Sequence, residues 1–187
     1  MTTKDLVLAA LFAAIIIVLG IVPAIPLAFV PVPITAQSLG VMLAGGILCA
    51  KRGVMATLLV MLIAAAGLPV LAGGRGGLGV FMAPTTGFLI GWAFAAATTG
   101  FLAERLVSHE QPGLVQGVSF FIAALIGGVV VLYAFGITYL ALVTGIPISK
   151  AFLGSLAFIP GDVVKSFVAA LVGRAVMAGY PLLPVRA

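Results

Sequence analysis

Apolar residues in this chain come in long unbroken blocks, separated by short clusters of proline, glycine or charge. Strict alternation, the mark of membrane barrels, is missing, and the blocks suit helices that cross a bilayer, for which roughly 20 apolar residues suffice. Six spans are predicted, at about 5–22, 35–50, 54–71, 85–103, 117–143 and 161–178. Pro23 ends the first, and Pro26, Pro31 and Pro33 in VPAIPLAFVPVP cannot sustain a helix. Lys51-Arg52 closes the second, the glycine-rich LAGGRGG follows the third, and the polar ERLVSHEQPG follows the fourth. TGIPISKAFLGSLAFIPG, part loop and part short helix, leads into the sixth.

Composition turns this pattern into a class. The 187 residues are 64% hydrophobic and 7% charged, whereas soluble domains carry about a quarter charged residues. Too few polar side chains remain to cover a water-facing surface. The net charge of +5 would suggest nucleic acid in a soluble protein, but here the basic residues stand at span ends, so no nucleic acid is implied. Six spans put both termini on one side. With that side cytoplasmic, it receives Lys4, Lys51, Arg52, Arg105, Arg174 and Arg186, against Arg75 and Lys150 outside, as the positive-inside bias requires. Asp5, Glu104 and Glu110 fall on the cytoplasmic side as well. Lys4 ahead of an apolar run imitates a signal peptide, but no small-residue cleavage site follows, so the first helix is read as retained. With no repeat and no linker, the expectation is an all-α integral membrane protein: one six-transmembrane-helix bundle over 1–187, both termini cytoplasmic.

Against this background Asp162 and Lys165 stand out. A charge at the centre of a membrane helix costs on the order of 2.5–3.5 kcal/mol, and residues three apart share a helix face. Pro160-Gly161 is expected to break any helix running in from 150, leaving the pair in the first turn of a new one. Backbone N–H groups are unpaired there, so a carboxylate, an ammonium and amides meet in one small volume. The plain alternative is a helix-start ion pair, with Asp162 capping and Lys165 reaching for the interface. The glycine and proline loops on the same predicted face favour a ligand site.

Gly73–Gly77 offers backbone free to take positive φ and approach a ligand, with Gly74 and Gly76 exposing amides and Arg75 a fork for a carboxylate. Gly74-x-Gly76-x-x-Gly79 matches a dinucleotide fingerprint in form only, because it joins membrane spans and not a strand to a helix. His109 reads as a solvated loop residue and Cys49, the single cysteine, as a small packer; no metal site is implied. Gly87 and Gly91 suit close helix packing, as do Ala9/Ala13 and Ala10/Ala14 in the first span. No phosphate-binding loop, nucleophile–base set or carboxylate pair is found.

VPVPITAQ, GLPVLAGGRGGLGVFMAPTTGFLIGW and FIPGDVVK together resemble the BioY family of biotin transporters, the substrate-capturing S components of energy-coupling factor transporters. The resemblance covers nearly the whole chain, in order. It implies a bundle with a biotin pocket toward the outer face, lined by Asp162 and Lys165, and it implies Ala10 and Ala14 as the contact with a transmembrane T component. Two ATPase subunits complete such a module, and biotin is cargo, so no cofactor is implied. Arg75 stands where the family can carry a polar amide, Phe88 where it often has tyrosine, and Thr86 where glycine is common. The expected substrate-binding residues are therefore Asp162, Lys165, Arg75, Gly74, Gly76 and Phe88. Other readings stay open: an S component for another small vitamin, a solitary ion-gradient transporter with Asp162 as proton carrier, an intramembrane enzyme, a structural bundle, and a homo-oligomer in any of these cases.

Overall fold

The computed structural model describes residues 2–28, 30–180 and 182–183; Arg186, assigned above to the cytoplasmic charge set, lies outside them. Among the described residues the helices are α1 (Thr3–Leu19), α2 (Gln37–Ala65), α3 (Thr86–Leu106), α4 (Gly113–Leu125), α5 (Leu132–Thr144), α6 (Ile148–Ser155) and α7 (Ile159–Gly179). A π-helical segment, Ile126–Val131, joins α4 to α5, and a 3-10 turn, Leu156–Phe158, joins α6 to α7. Four helical runs are long and apolar enough to cross a membrane: Gln37–Ala65, Thr86–Leu106, Gly113–Thr144 and Ile148–Gly179. Val7, Leu62, Leu114, Leu142 and Val164 are exposed, the distribution of a surface that meets lipid. The architecture is that of a helical membrane protein.

Helix α2 does not run straight. Cys49 interrupts it with φ 72° and ψ 168°, and a Cβ placed on Gly53 would lie 2.9 Å from the Cα of Gly45. Eight residues along a straight helix span about 12 Å, so the chain reverses at Cys49 and residues 37–48 and 50–65 lie side by side. The predicted break at Lys51-Arg52 is therefore found two residues earlier. The second arm stops at Ala65 instead of 71, because Gly67 takes φ 100° and Pro69 follows.

Two further expectations are corrected. The proline-rich stretch forms a two-stranded antiparallel ribbon, β1 (Ile25–Leu27) and β2 (Val30–Ile34), with Ile25 opposite Ile34 and Leu27 opposite Val30. Each strand of such a ribbon has an outer edge where a proline's missing N–H costs no ladder bond. Pro160-Gly161 does not break the path from α6, because Pro160 sits in the first turn of α7, where its N–H would have no helical partner.

Among the described residues the larger apolar core joins Ile16 of α1, Met42, Leu48 and Val60 of α2, Ala96 of α3, Leu140 of α5 and Ala169 of α7. A smaller one gathers Ala103 of α3, Phe120 of α4 and Ala170 and Met177 of α7. Gly87 and Gly91 admit α5 against α3: a Cβ at either would press on Phe135. At one end, Asp5 of α1 accepts from Arg52 at 2.6 Å, Glu104 of α3 accepts from the backbone N of Ala50 at 2.8 Å, and Lys4 lies 5.0 Å from the Tyr180 ring. The start of α1 and the end of α7 therefore share that end. His109 is half-buried with Nε2 unpaired, not fully solvated as expected. The opposite end carries the ribbon, the glycine-rich loop and the start of α7.

The conformation of Cys49 is one that only glycine adopts cheaply, at a cost of roughly 1–3 kcal/mol to other residues. Cys49→Gly is expected to melt in detergent at or above the temperature of the parent, and Cys49→Val below it. A glycine variant that melts well below the parent would mean that the Sγ contact with the Leu182 carbonyl, 3.7 Å, governs the turn instead.

Candidate functional site

The start of α7 brings Asp162 into the bundle, where it is 5% exposed. A carboxylate so placed needs donors, and three helices supply them. Lys165, one turn on, donates from Nζ to Oδ1 at 2.7 Å. Ser38 of α2 donates to the same oxygen at 3.4 Å and itself accepts from Lys165 at 3.0 Å. Tyr133 of α5 donates its hydroxyl to Oδ2 at 2.6 Å. Asp162 does not cap its helix: the cap position is Phe158, with no side-chain cap bond. The ion pair expected from the i,i+3 spacing is present, inside a network reaching well beyond α7.

Tyr133 arrives through the π-helical segment. A π turn inserts one extra residue and so rotates everything after it by about 100° relative to an unbroken α-helix. Gly127 and Gly128 in that segment pack on Thr99 and Met42, and Leu132 and Tyr133 then face the pocket. Thr99 Oγ1 is buried there without a hydrogen-bond partner.

The charged network forms one wall of a pocket of about 80 Å³ that opens to the exterior. Aromatic rings form the facing wall. Phe88, Tyr133 and Phe158 stand mutually edge to face, with centroids 6.1–6.3 Å apart, the arrangement that ring quadrupoles favour. Phe88 rests on Gly136, where a Cβ would collide with its ring, and Trp92 completes the wall. Val32, Pro33 and Ile34 of the ribbon line the pocket as well. The site thus combines a few fixed donors and acceptors with an apolar slot, as small-molecule pockets do.

Arg75 also lines the pocket. Gly73 and Gly74, at φ 79° and 68°, turn the chain so that Leu71 and Arg75 exchange backbone hydrogen bonds of 3.0 and 3.1 Å. The guanidinium is tied at Nε to the Ala72 carbonyl and at one terminal nitrogen to Thr85 Oγ1, each at 3.1 Å. Gly74 and Gly76 are not among the lining residues. Gly74 shapes the turn, and Gly76 lies flat on the Leu68 carbonyl with no room for a side chain. Of the expected binding residues, Asp162, Lys165, Arg75 and Phe88 are brought together, and the two glycines serve them from behind.

Sequence reasoning missed Gln37, Ser38, Trp92, Tyr133 and Phe158. Gln37 ended a quoted motif, and Ser38 follows it; the others sit in apolar blocks where nothing marks them. On α1 the two small-residue stripes part company: Ala9 and Ala13 are buried, whereas Ala10 and Ala14 are exposed.

These features define a membrane-embedded helical bundle with a small-molecule pocket sunk into one end. A sequence model of the BioY family matches residues 1–181, and the chain belongs to the BioY family. It is 69% identical over the full length of both chains to the biotin transporter BioY of Rhizobium etli, and 50% identical to that of Rhodobacter capsulatus over 95% of each chain. Among solved structures it is similar to the S-component for biotin from an ECF-type ABC transporter, with a TM-score of 0.86, 34% identity and 95% of each chain covered.

Removing one partner of a buried ion pair strands the other. Lys165→Met is therefore expected to destabilise the protein by about 3 kcal/mol, and Asp162→Asn combined with Lys165→Met by much less. Thermal unfolding in detergent measures both. Equal losses for the single and double variants would show that the charges are not coupled.

Proposed function

We propose that the chain is the substrate-binding S component of a biotin uptake system in the bacterial cytoplasmic membrane. It captures biotin at the outer face and releases it inside when coupled to an ATP-driven module. One observation carries this reading: the Asp162–Lys165 pair, held by Ser38 and Tyr133, faces a ring-lined slot in a chain of this family. Biotin presents two ureido N–H donors, one carbonyl, an apolar fused ring and a carboxylate tail. A carboxylate offers about four acceptor positions; Lys165, Ser38 and Tyr133 take three at Asp162, and the fourth, on Oδ2, receives a ureido N–H. Lys165 uses two of its three N–H bonds and directs the third to the ureido carbonyl. Phe88, Trp92 and Phe158 hold the rings, and Arg75 meets the tail.

In this reading the whole chain is one membrane domain crossing the bilayer six times: α1, the two arms of α2, α3, the run 113–144, and α7. Both ends are cytoplasmic. Support comes from the reversal at Cys49 and from the gathering of Lys4, Lys51, Arg52 and Arg105 at the end away from the pocket. The partners are a transmembrane T component, which meets the exposed Ala10 and Ala14, and two ATPase subunits. The chain itself has no ATPase or other enzymatic chemistry, and no cofactor enters. Neither a receptor for another small vitamin nor an ion-gradient carrier is favoured by the relatives above, which are named for biotin.

Calorimetry with the detergent-purified chain is expected to show biotin binding, weakened at least about a hundredfold in a folded Asp162→Asn, Lys165→Ala variant. A folded parent that ignores biotin overturns the reading. Ala10→Trp with Ala14→Trp is expected to leave binding by the isolated chain unchanged while abolishing co-purification with the T component. Retained co-purification would move the docking face elsewhere.

A further inference from the structure

We infer that Gln37 is a positioning residue for Arg75, and that through Arg75 it makes the pocket select ligands with an anionic tail. The inference rests on biotin being the ligand. Gln37 is 2% exposed, and its amide makes three hydrogen bonds to two separate parts of the chain. Nε2 donates to the Ile16 carbonyl of α1 and to the Val70 carbonyl, each at 3.1 Å, and Oε1 accepts from the backbone N of Ala72 at 2.8 Å. The Ile16 carbonyl lies in the last turn of α1, where helical partners run out, because Gly20 donates to Ile17 instead. Gln37 thus closes the end of one helix and grips both ends of the Val70–Ala72 stretch.

Ala72 is the link. Its N–H is held by Gln37, and its carbonyl accepts from Arg75 Nε. The same stretch forms the backbone bridge from Leu71 to Arg75. The guanidinium is therefore referenced to the bundle core through one residue, with Thr85 fixing its second point. Pairing of a guanidinium with a carboxylate depends on the direction of both N–H bonds, so releasing Ala72 misaims Arg75 without removing its charge. Gly20 belongs to the same device. Its φ of −71° suits any residue, yet a Cβ there would lie 2.8 Å from Gln37 Nε2 and 2.9 Å from the Val70 carbonyl.

The test compares biotin with biotin methyl ester, which keeps the ureido ring and lacks the anion, on the full detergent-purified chain. Gln37→Met, close in volume, is expected to weaken biotin about tenfold or more and the ester less than about threefold. In an Arg75→Met background, the effect of Gln37→Met on biotin should shrink to its effect on the ester. Gly20→Ala, which keeps the Gln37 side chain but presses on its amide and on the Val70 carbonyl, should give the same selective pattern and carries the comparison if Gln37→Met does not fold. Equal weakening of both ligands would make Gln37 a structural staple only and overturn the inference. Full biotin affinity in the folded variants would overturn it as well. A parent chain that binds neither ligand sinks the biotin reading, and the inference falls with it.

Discussion

A carboxylate buried in a membrane protein has few ways to be satisfied, and Asp162 uses nearly all of them. Its donors come from the start of α2, the middle of the helical run through α5, and the next turn of α7. Since each must lie within hydrogen-bond reach, these three helices can approach one another in few ways. The pocket lies between them because the charge does. Polar groups at such a place are costly unless the set is complete, so an arrangement that satisfies Asp162 also fixes Lys165, Ser38 and Tyr133 in position along the pocket wall.

Tyr133 ties this polar wall to the aromatic one. Its hydroxyl serves Asp162 while its ring stands edge-on to Phe88 and Phe158. Phe88 fills its place as a ring packed on Gly136. The glycine-rich loop contributes through geometry rather than through exposed amides: positive φ at Gly73 and Gly74 makes the turn, and the turn presents Arg75.

Much of this was legible in the chain before any coordinates. Long apolar blocks with little charge can only be covered by lipid, which settles a helical membrane protein. The i,i+3 spacing of Asp162 and Lys165 dictates that they pair, because helix geometry is local. Prolines at 26, 31 and 33 exclude a helix by the same local rule, although a ribbon and an irregular loop obey it equally. The motifs around VPVPITAQ, LAGGRGG and FIPGDVVK pointed to the family.

What depended on contacts distant in sequence was decided only by the fold. No local signal distinguishes Tyr133 from other residues of its apolar run, since its aim follows from a π turn and from where α7 lies. Gln37 reads as an ordinary helix-start polar residue until residues 16, 70 and 72 surround it. Ala9/Ala13 and Ala10/Ala14 are the same motif in the sequence, and packing buries one pair and leaves the other exposed. Sequence determines which groups a membrane helix must satisfy; the tertiary structure decides which partners satisfy them, because those partners come from other helices.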